Sequence, residues 1–128
     1  MNTKLIMTAS AIFLGAIGIG LTFFPREIAG LSDISSTKQF QLVLQIMGAL
    51  YFSFAMLNWM AKGAIIGGIY NKPIALANFT HFFIVTLALI KFMMVNGFLA
   101  DIAWAAGFYL IFTVWFGAIV FWHPAERK

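Results

Sequence analysis

Lys4–Phe24 reads KLIMTASAIFLGAIGIGLTFF, and the fold follows from this stretch. A helix rises about 1.5 Å per residue and a bilayer core is about 30 Å thick, so a run of about 20 apolar residues is long enough to cross it. Pro25-Arg26-Glu27 closes the run. Proline disfavours helix at the residue before it, and the charges belong among headgroups. One lysine ahead of an apolar stretch also opens a signal peptide. This run is too long for that, and no A-x-A-like cleavage site follows it, so the helix is expected to be retained.

Three more runs of this kind follow. Gln41–Ala61 (QLVLQIMGALYFSFAMLNWMA) ends at Lys62-Gly63. Ile74–Val95 (IALANFTHFFIVTLALIKFMMV) ends at the tight turn Asn96-Gly97. Ile102–Trp122 ends at His123-Pro124 and the tail AERK. The polar connection Gly30–Lys38 offers Ser35 or Ser36 as a helix cap, with Gln39 as the capping-box partner of Ser36. Ala64–Pro73 (AIIGGIYNKP) is apolar for a loop. It reads as an interfacial or dipping segment that closes on the turn Tyr70-Asn71-Lys72-Pro73. Short connections favour antiparallel neighbours. The expected fold is all-α: one domain over residues 1–128, an integral membrane four-helix bundle running up-down-up-down, with spans of about 4–24, 41–61, 74–95 and 102–122. The runs are unbroken and longer than the ~10-residue alternating strands of membrane barrels.

Composition agrees. The 128 residues are 62% hydrophobic and 9% charged, with mean hydropathy +0.95. A soluble domain has about a quarter of its residues charged. The pI is 9.7, but the net charge of +4 comes from scattered residues. A basic stripe for nucleic acid is absent. Zero cysteines exclude a disulfide scaffold, a Cys-based zinc site and thiol redox chemistry. The expected location is a bacterial-type inner membrane. Lys4, Lys62, Lys72, Arg127 and Lys128 fall on one side, with Arg26 and Lys38 on the other, joined by Lys91 if it reaches out. That asymmetry predicts both termini in the cytoplasm, with Trp59 and Trp122 near the inner interface and Trp104 near the outer one.

Polar residues inside spans normally face the bundle or a wet cavity. By depth they form two groups. Asn58, Asn78 and His81 lie toward the inner end, with Thr8 and Ser10 on the first span and His123 at the edge. Gln41, Gln45, Lys91 and Asp101 lie toward the outer end. Helical phase places Gln41, Gln45, Gly48, Phe52, Ala55 and Trp59 on one face of the second span, and Asn78, His81, Val85 and Ala88 on one face of the third. Facing each other, these would form a polar seam with apolar walls from Phe52, Trp59 and Phe82. The candidate ligand-binding residues are therefore His81, Asn78, Asn58, Gln45, Gln41 and Trp59.

Each has a structural alternative. A neutral imidazole at His81 could bind a quinone carbonyl, relay a proton or ligate metal, or simply bond to neighbouring amides. A bis-histidine haem is disfavoured, because His81 and His123 should differ in depth by about 10 Å. Lys91 could hold an anion or pair with Asp101, or snorkel to the headgroups. Asp101 complements a helix start. Gln41 and Gln45 could hold a ligand or join helices by hydrogen bonds. Ala11, Gly15 and Gly18 form a small-residue face on the first span, and Ala103 and Gly107 form another on the fourth, both read as packing. Gly67-Gly68 reads as a turn. No catalytic constellation or metal motif is found: there is no Gly-x-Ser-x-Gly elbow, no acidic pair within the spans and no H-E-x-x-H. Small multidrug transporters match in length and span count, but they depend on a glutamate in the first helix, which has no acidic residue here.

Gly18–Pro25 (GIGLTFFP) closes the first span with the pattern G-x-G-L-x-F-x-P, ahead of a polar loop and a second span with a central glycine. In this motif and in span layout the chain resembles the small bacterial DoxX-like membrane proteins. That resemblance implies a compact four-helix bundle and a place among proteins that include quinone-linked oxidoreductase subunits. It departs from the family at the start of the second helix, where Lys38 and Gln39 stand instead of an arginine. Three readings follow, the first leading: a non-enzymatic membrane protein that binds or passes a small lipophilic or polar molecule through the seam between spans two and three; a quinone-linked oxidoreductase accessory subunit; and a structural or assembly subunit of a homo-oligomer or larger complex.

Overall fold

The structure, a computed structural model, describes residues 2–31 and 37–122. The protein is all-α: α1 (Thr3–Phe23), α2 (Pro25–Leu31), α3 (Lys38–Ala61), α4 (Lys72–Asn96) and α5 (Ala100–Trp122), with a 3₁₀ turn at Ile69–Asn71 ahead of α4. No strand occurs among the described residues. Four helical stretches are long and apolar enough to cross a membrane: Thr3–Phe23, Lys38–Ala61, Ile69–Asn96 and Ala100–Trp122. Large apolar side chains such as Leu42, Ile46, Leu50, Met56, Ile84 and Leu87 stand exposed. That is the surface a bilayer covers. The chain is a multi-pass membrane protein.

Two compact units make up the chain. One is Met7–Gly63; the other holds the described residues of Met1–Ile6 and Ala64–Lys128. Helix α1 starts on Asn2, whose Oδ1 accepts from the Leu5 amide at 3.2 Å. It does not stop cleanly at Phe24. The amide of Phe24 donates to Gly20 O at 2.9 Å and that of Ile28 to Phe24 O at 3.1 Å, so the chain turns almost without interruption into α2. The stop expected at Pro25 is instead the start of a second helix, α2. Proline suits the first position of a helix, where its missing N–H has no partner to lose. Glu27 then favours the first turn of α2. Ala29 packs with Leu21 and Leu44 in a small core that Ile17, Ile28, Phe40 and Tyr51 extend.

The cap of α3 is Thr37, whose Oγ1 accepts from the Phe40 amide at 3.2 Å. The expected Ser36–Gln39 box is thus displaced by one residue, and Ser35 and Ser36 lie outside the described residues. Helix α3 runs antiparallel to α1 and comes very close to it at two glycines. A Cβ on Gly18 would lie 2.7 Å from the Phe52 amide nitrogen and 2.9 Å from Gly48 O, and one on Gly48 would lie 2.8 Å from the Thr22 nitrogen and also strike Thr22 Oγ1. Only glycine permits this approach, and small-residue contacts of this kind hold membrane helices together by packing.

The second unit is a helical hairpin. Between Gly63 and α4, Ile66 is fully buried while Ile65, Ile69 and Tyr70 are exposed. The Asn71 side chain ties the segment by donating to Ile65 O at 3.2 Å. Pro73 falls in the first turn of α4. Helix α4 ends where expected, at Asn96, because Gly97 takes φ 87°, a conformation L side chains rarely adopt. The link to α5 is three residues long, and α5 returns antiparallel. Phe82 lies between Phe112 (centroids 4.8 Å, 21°) and Phe116 (5.6 Å, 9°). Below them the hydroxyls of Thr86 and Thr113 meet at 3.1 Å. The expected small face at Ala103 and Gly107 is not where α5 packs. Gly107 is exposed, with no atom within 4 Å of a Cβ built on it, and the hairpin is held by aromatic rings instead.

Candidate functional site

In the first unit the end of α1, the first turn of α2 and the first two turns of α3 border an open cavity of about 340 Å³, lined by Phe23, Pro25, Arg26, Glu27, Gln41 and Gln45. Such a volume lies at the small end of ligand sites, which are about 300–1,000 Å³. Each wall follows from local structure. Pro25 opens α2 and so turns Arg26 and Glu27 toward α3. Gln41 and Gln45 stand one turn apart on α3 and point to one side. Arg26 Nε donates to Gln41 Oε1 at 3.4 Å. Gln41 is half-buried, while Arg26, Glu27 and Gln45 are exposed. The cavity offers amide donors and acceptors, one guanidinium and one carboxylate beside the apolar Phe23 and Pro25.

Deeper in the same unit, Asn58 is fully buried. Its Nδ2 donates to Ser10 Oγ at 3.0 Å, and Ser10 Oγ donates to Met7 O at 3.0 Å. This chain of bonds lets an amide sit among helices without leaving its donor unmet, a costly state in lipid. Trp59, the next residue, is turned outward and lies under the Lys62 ammonium, 3.0 Å from the ring centroid. Asn58 and Trp59 therefore do not share a site.

In the second unit Asn78 is fully buried and its Nδ2 donates to Ile74 O at 3.0 Å. His81, one turn on, is half-buried. Its ring packs edge-on to Phe82 at 5.1 Å and tilted against Tyr109 at 6.0 Å. Nε2 is buried and makes no hydrogen bond among the described residues, while the residue is engaged through other contacts. Lys91 and Asp101 are both exposed and form no ion pair with each other. His123 lies outside the described residues.

The helical phases inferred from sequence need correction. On α3 the buried positions are Leu44, Gly48, Ala55 and Asn58, whereas Gln45, Phe52 and Trp59 are exposed. On α4 they are Ala75, Asn78, Phe82 and Thr86, whereas Ala88 is exposed and His81 and Val85 are half-buried. The buried stripes keep Gly48 and Ala55 of the expected face on α3 and Asn78 of that on α4, and differ by about one residue elsewhere. In helices apolar all round, the buried face is set by which residues allow close packing or find a hydrogen-bond partner, here Gly48 and Asn58 on α3 and Phe82 and Asn78 on α4.

Among the expected site residues, Gln41 and Gln45 are brought together and share their cavity with two residues that sequence reasoning had not assigned, Arg26 and Glu27. The signal for them was available in Pro25-Arg26-Glu27, a proline followed by an acid that reads equally well as a helix start. Asn58 belongs to the first unit and Asn78 and His81 to the second. Among the described residues no three His, Asp or Glu side chains are placed to hold a metal. No protein-family model, curated protein or solved structure matches this chain.

Proposed function

We propose that this multi-pass membrane protein binds a small amphiphilic molecule, and that Gln41 and Gln45 help to orient it. The observation that carries the reading is the cavity of about 340 Å³ in which both amides stand beside Arg26 and Glu27. Binding sites combine apolar walls with a few placed polar groups, and the cavity has both. Its place at the ends of two candidate spans, α1 and α3, suits a ligand that is partly lipid-soluble. The test is to purify the full chain in mild detergent and weigh what remains bound by native mass spectrometry. A retained small molecule that is lost in Gln41→Leu/Gln45→Leu, with the helical circular dichroism unchanged, is the expected result. A wild-type chain carrying nothing above detergent, or a bound species indifferent to both substitutions, overturns it.

A second reading keeps the quinone-linked role that the DoxX-like resemblance implies. It is supported by His81, half-buried and flanked by the rings of Phe82 and Tyr109, a setting in which a planar aromatic head could stack. Organic extraction of the purified chain, with absorbance recorded before and after borohydride reduction, distinguishes the two readings. Quinone in the wild-type extract and its loss in His81→Phe favour the second.

A further inference from the structure

We infer that the α1–α2–α3 cavity recognises a zwitterion bearing a phosphate and a primary ammonium, the chemistry of an ethanolamine phospholipid headgroup. The inference rests on the reading that this cavity binds an amphiphile, and it names the class.

The decisive feature is a pair of opposite charges that share a cavity without neutralising each other. Arg26 and Glu27 are consecutive on α2 and both line it. Among the described residues the guanidinium makes one hydrogen bond, from Nε to Gln41 Oε1 at 3.4 Å. A guanidinium has five N–H donors in a fixed fork. The four donors on the two terminal nitrogens make no hydrogen bond among the described residues, and two parallel bonds to phosphate oxygens are the arrangement arginine favours. Glu27 lines the cavity, is exposed and makes no hydrogen bond or ion pair among the described residues. A ligand carrying only negative charge meets Glu27 as well as Arg26, and one carrying only positive charge meets both with the signs reversed. A ligand with both charges, one phosphodiester apart from its amine, satisfies the two side chains at once. The side-chain amides of Gln41 and Gln45 can donate to the remaining phosphate or ester oxygens and accept from the ammonium.

Position favours a lipid as the source. The charged residues follow directly on the end of α1, where Phe23 is 71% and Phe24 55% exposed. Those rings stand at the boundary of a candidate span, where acyl chains would lie beside the bound headgroup. Methylation of the amine should weaken recognition, because a quaternary ammonium cannot donate a hydrogen bond to Glu27.

The test adds phosphatidylethanolamine, phosphatidylcholine and phosphatidylglycerol of identical acyl chains, one at a time and in competition, to the full chain in detergent. Binding is read by native mass spectrometry, and circular dichroism is recorded for every variant. The expected result is a preference for the ethanolamine lipid over the other two of about fivefold, as for charge-assisted hydrogen bonds partly screened by solvent. Arg26→Gln should lower binding of the ethanolamine and glycerol lipids alike, and Arg26→Lys should retain part of it. Glu27→Gln should reverse the preference toward the glycerol lipid, an outcome that loss of folding cannot produce. Soluble phosphoethanolamine is added as a competitor. Displacement by it assigns recognition to the headgroup alone, and displacement only by whole lipid assigns it to headgroup and chains together. Equal binding of the three lipids, unchanged by Arg26→Gln and Glu27→Gln, overturns the inference while leaving the binding reading in place. A wild-type chain that binds none of them and carries no other small molecule overturns both.

Discussion

Helices α1 and α3 and helices α4 and α5 are both antiparallel pairs of apolar helices, yet they are held by opposite means. The first pair closes on absent side chains: Gly18 and Gly48 bring backbone against backbone, and Gly15 meets Ala55 at 3.5 Å from the position of its own missing Cβ. The second pair closes on large ones, with Phe82, Phe112 and Phe116 stacked between helices and Phe79 edge-on to Phe121 at 5.5 Å. Lipid tails are as apolar as leucine, so neither pair gains from hydrophobic transfer between helices as a soluble core would. Close approach and ring stacking are two ways of gaining dispersion contacts that lipid cannot match. The first leaves the helix ends free to bear polar residues, and there the Arg26–Gln45 cavity lies. The second fills its centre.

If that contrast holds, removing the central ring should do the most damage. Phe82 is fully buried and touches rings on both sides. Phe82→Ala should cost about 2–3 kcal/mol, the cavity part of the cost of truncating a core phenylalanine, because lipid supplies no transfer term. Unfolding of the purified chain in mixed micelles, titrated with denaturing detergent, measures it. A cost below about 1 kcal/mol, typical of a site that collapses or was never tightly packed, would show that the stack is not what holds the hairpin.

The close-approach pair is probed by adding atoms. Gly48→Ala puts a methyl against Thr22 and Gly18 O, where a shift of backbone is the only relief, and should cost roughly 1–3 kcal/mol as overpacking does. Gly107→Ala is the matched control on α5, because nothing lies within 4 Å of the new Cβ. It should be neutral within about 0.5 kcal/mol. The same micelle titration reads both. Equal costs at the two glycines would abolish the distinction drawn between the helix pairs.

Much of this was legible in the residues. Four apolar runs of the right length, the stop at Asn96-Gly97 and the small-residue face of α1 depend on composition and on one backbone conformation, and both can be read locally. The rest depends on contacts. Helix α2 is hidden in the sequence because a proline closes one helix as readily as it begins the next. Its packing of Ala29 on Leu21 and Leu44 is a tertiary fact. The buried faces of α3 and α4 are only half legible: Gly48, Ala55 and Asn78 lie on them as the spacing predicts, whereas Gln45 is exposed and His81 half-buried. Thr86 and Thr113 escaped notice altogether. Each hydroxyl donates to its own helix four residues back, at Phe82 O and Tyr109 O, and a residue satisfied within its own helix shows no partner in sequence. For the cavity, Gln41 and Gln45 were foreseen as a pair, whereas Arg26 and Glu27 had been assigned to headgroups as boundary charges.

The smallest expected effects separate the two pairs by their buried polar contacts. The hydroxyls of Thr86 and Thr113 lie 3.1 Å apart, and each also lies 2.8 Å from a carbonyl of its own helix, so two protons serve three contacts. One threonine has a single proton, so the cross-helix bond and the backbone bond compete for it. Replacing either residue by valine leaves the other hydroxyl satisfied by its own helix. A double-mutant cycle of Thr86→Val and Thr113→Val should therefore give a coupling of about 0.6 kcal/mol, the average for interhelical hydrogen bonds in membranes. Ser10 and Asn58 differ. The bond from Asn58 Nδ2 ends on a serine hydroxyl that is itself donating to Met7 O, so its removal unmakes one link of a chain rather than one of two competing bonds. The cycle of Ser10→Ala and Asn58→Leu should reach about 1.7 kcal/mol, the upper end of the same range. Chains of bonds strengthen one another, and no water reaches a donor left unmet among the helices. Reversal of that order, with the threonines coupled more strongly than the serine and asparagine, would mean that the aromatic hairpin and not the glycine-packed pair relies on polar contact between its helices.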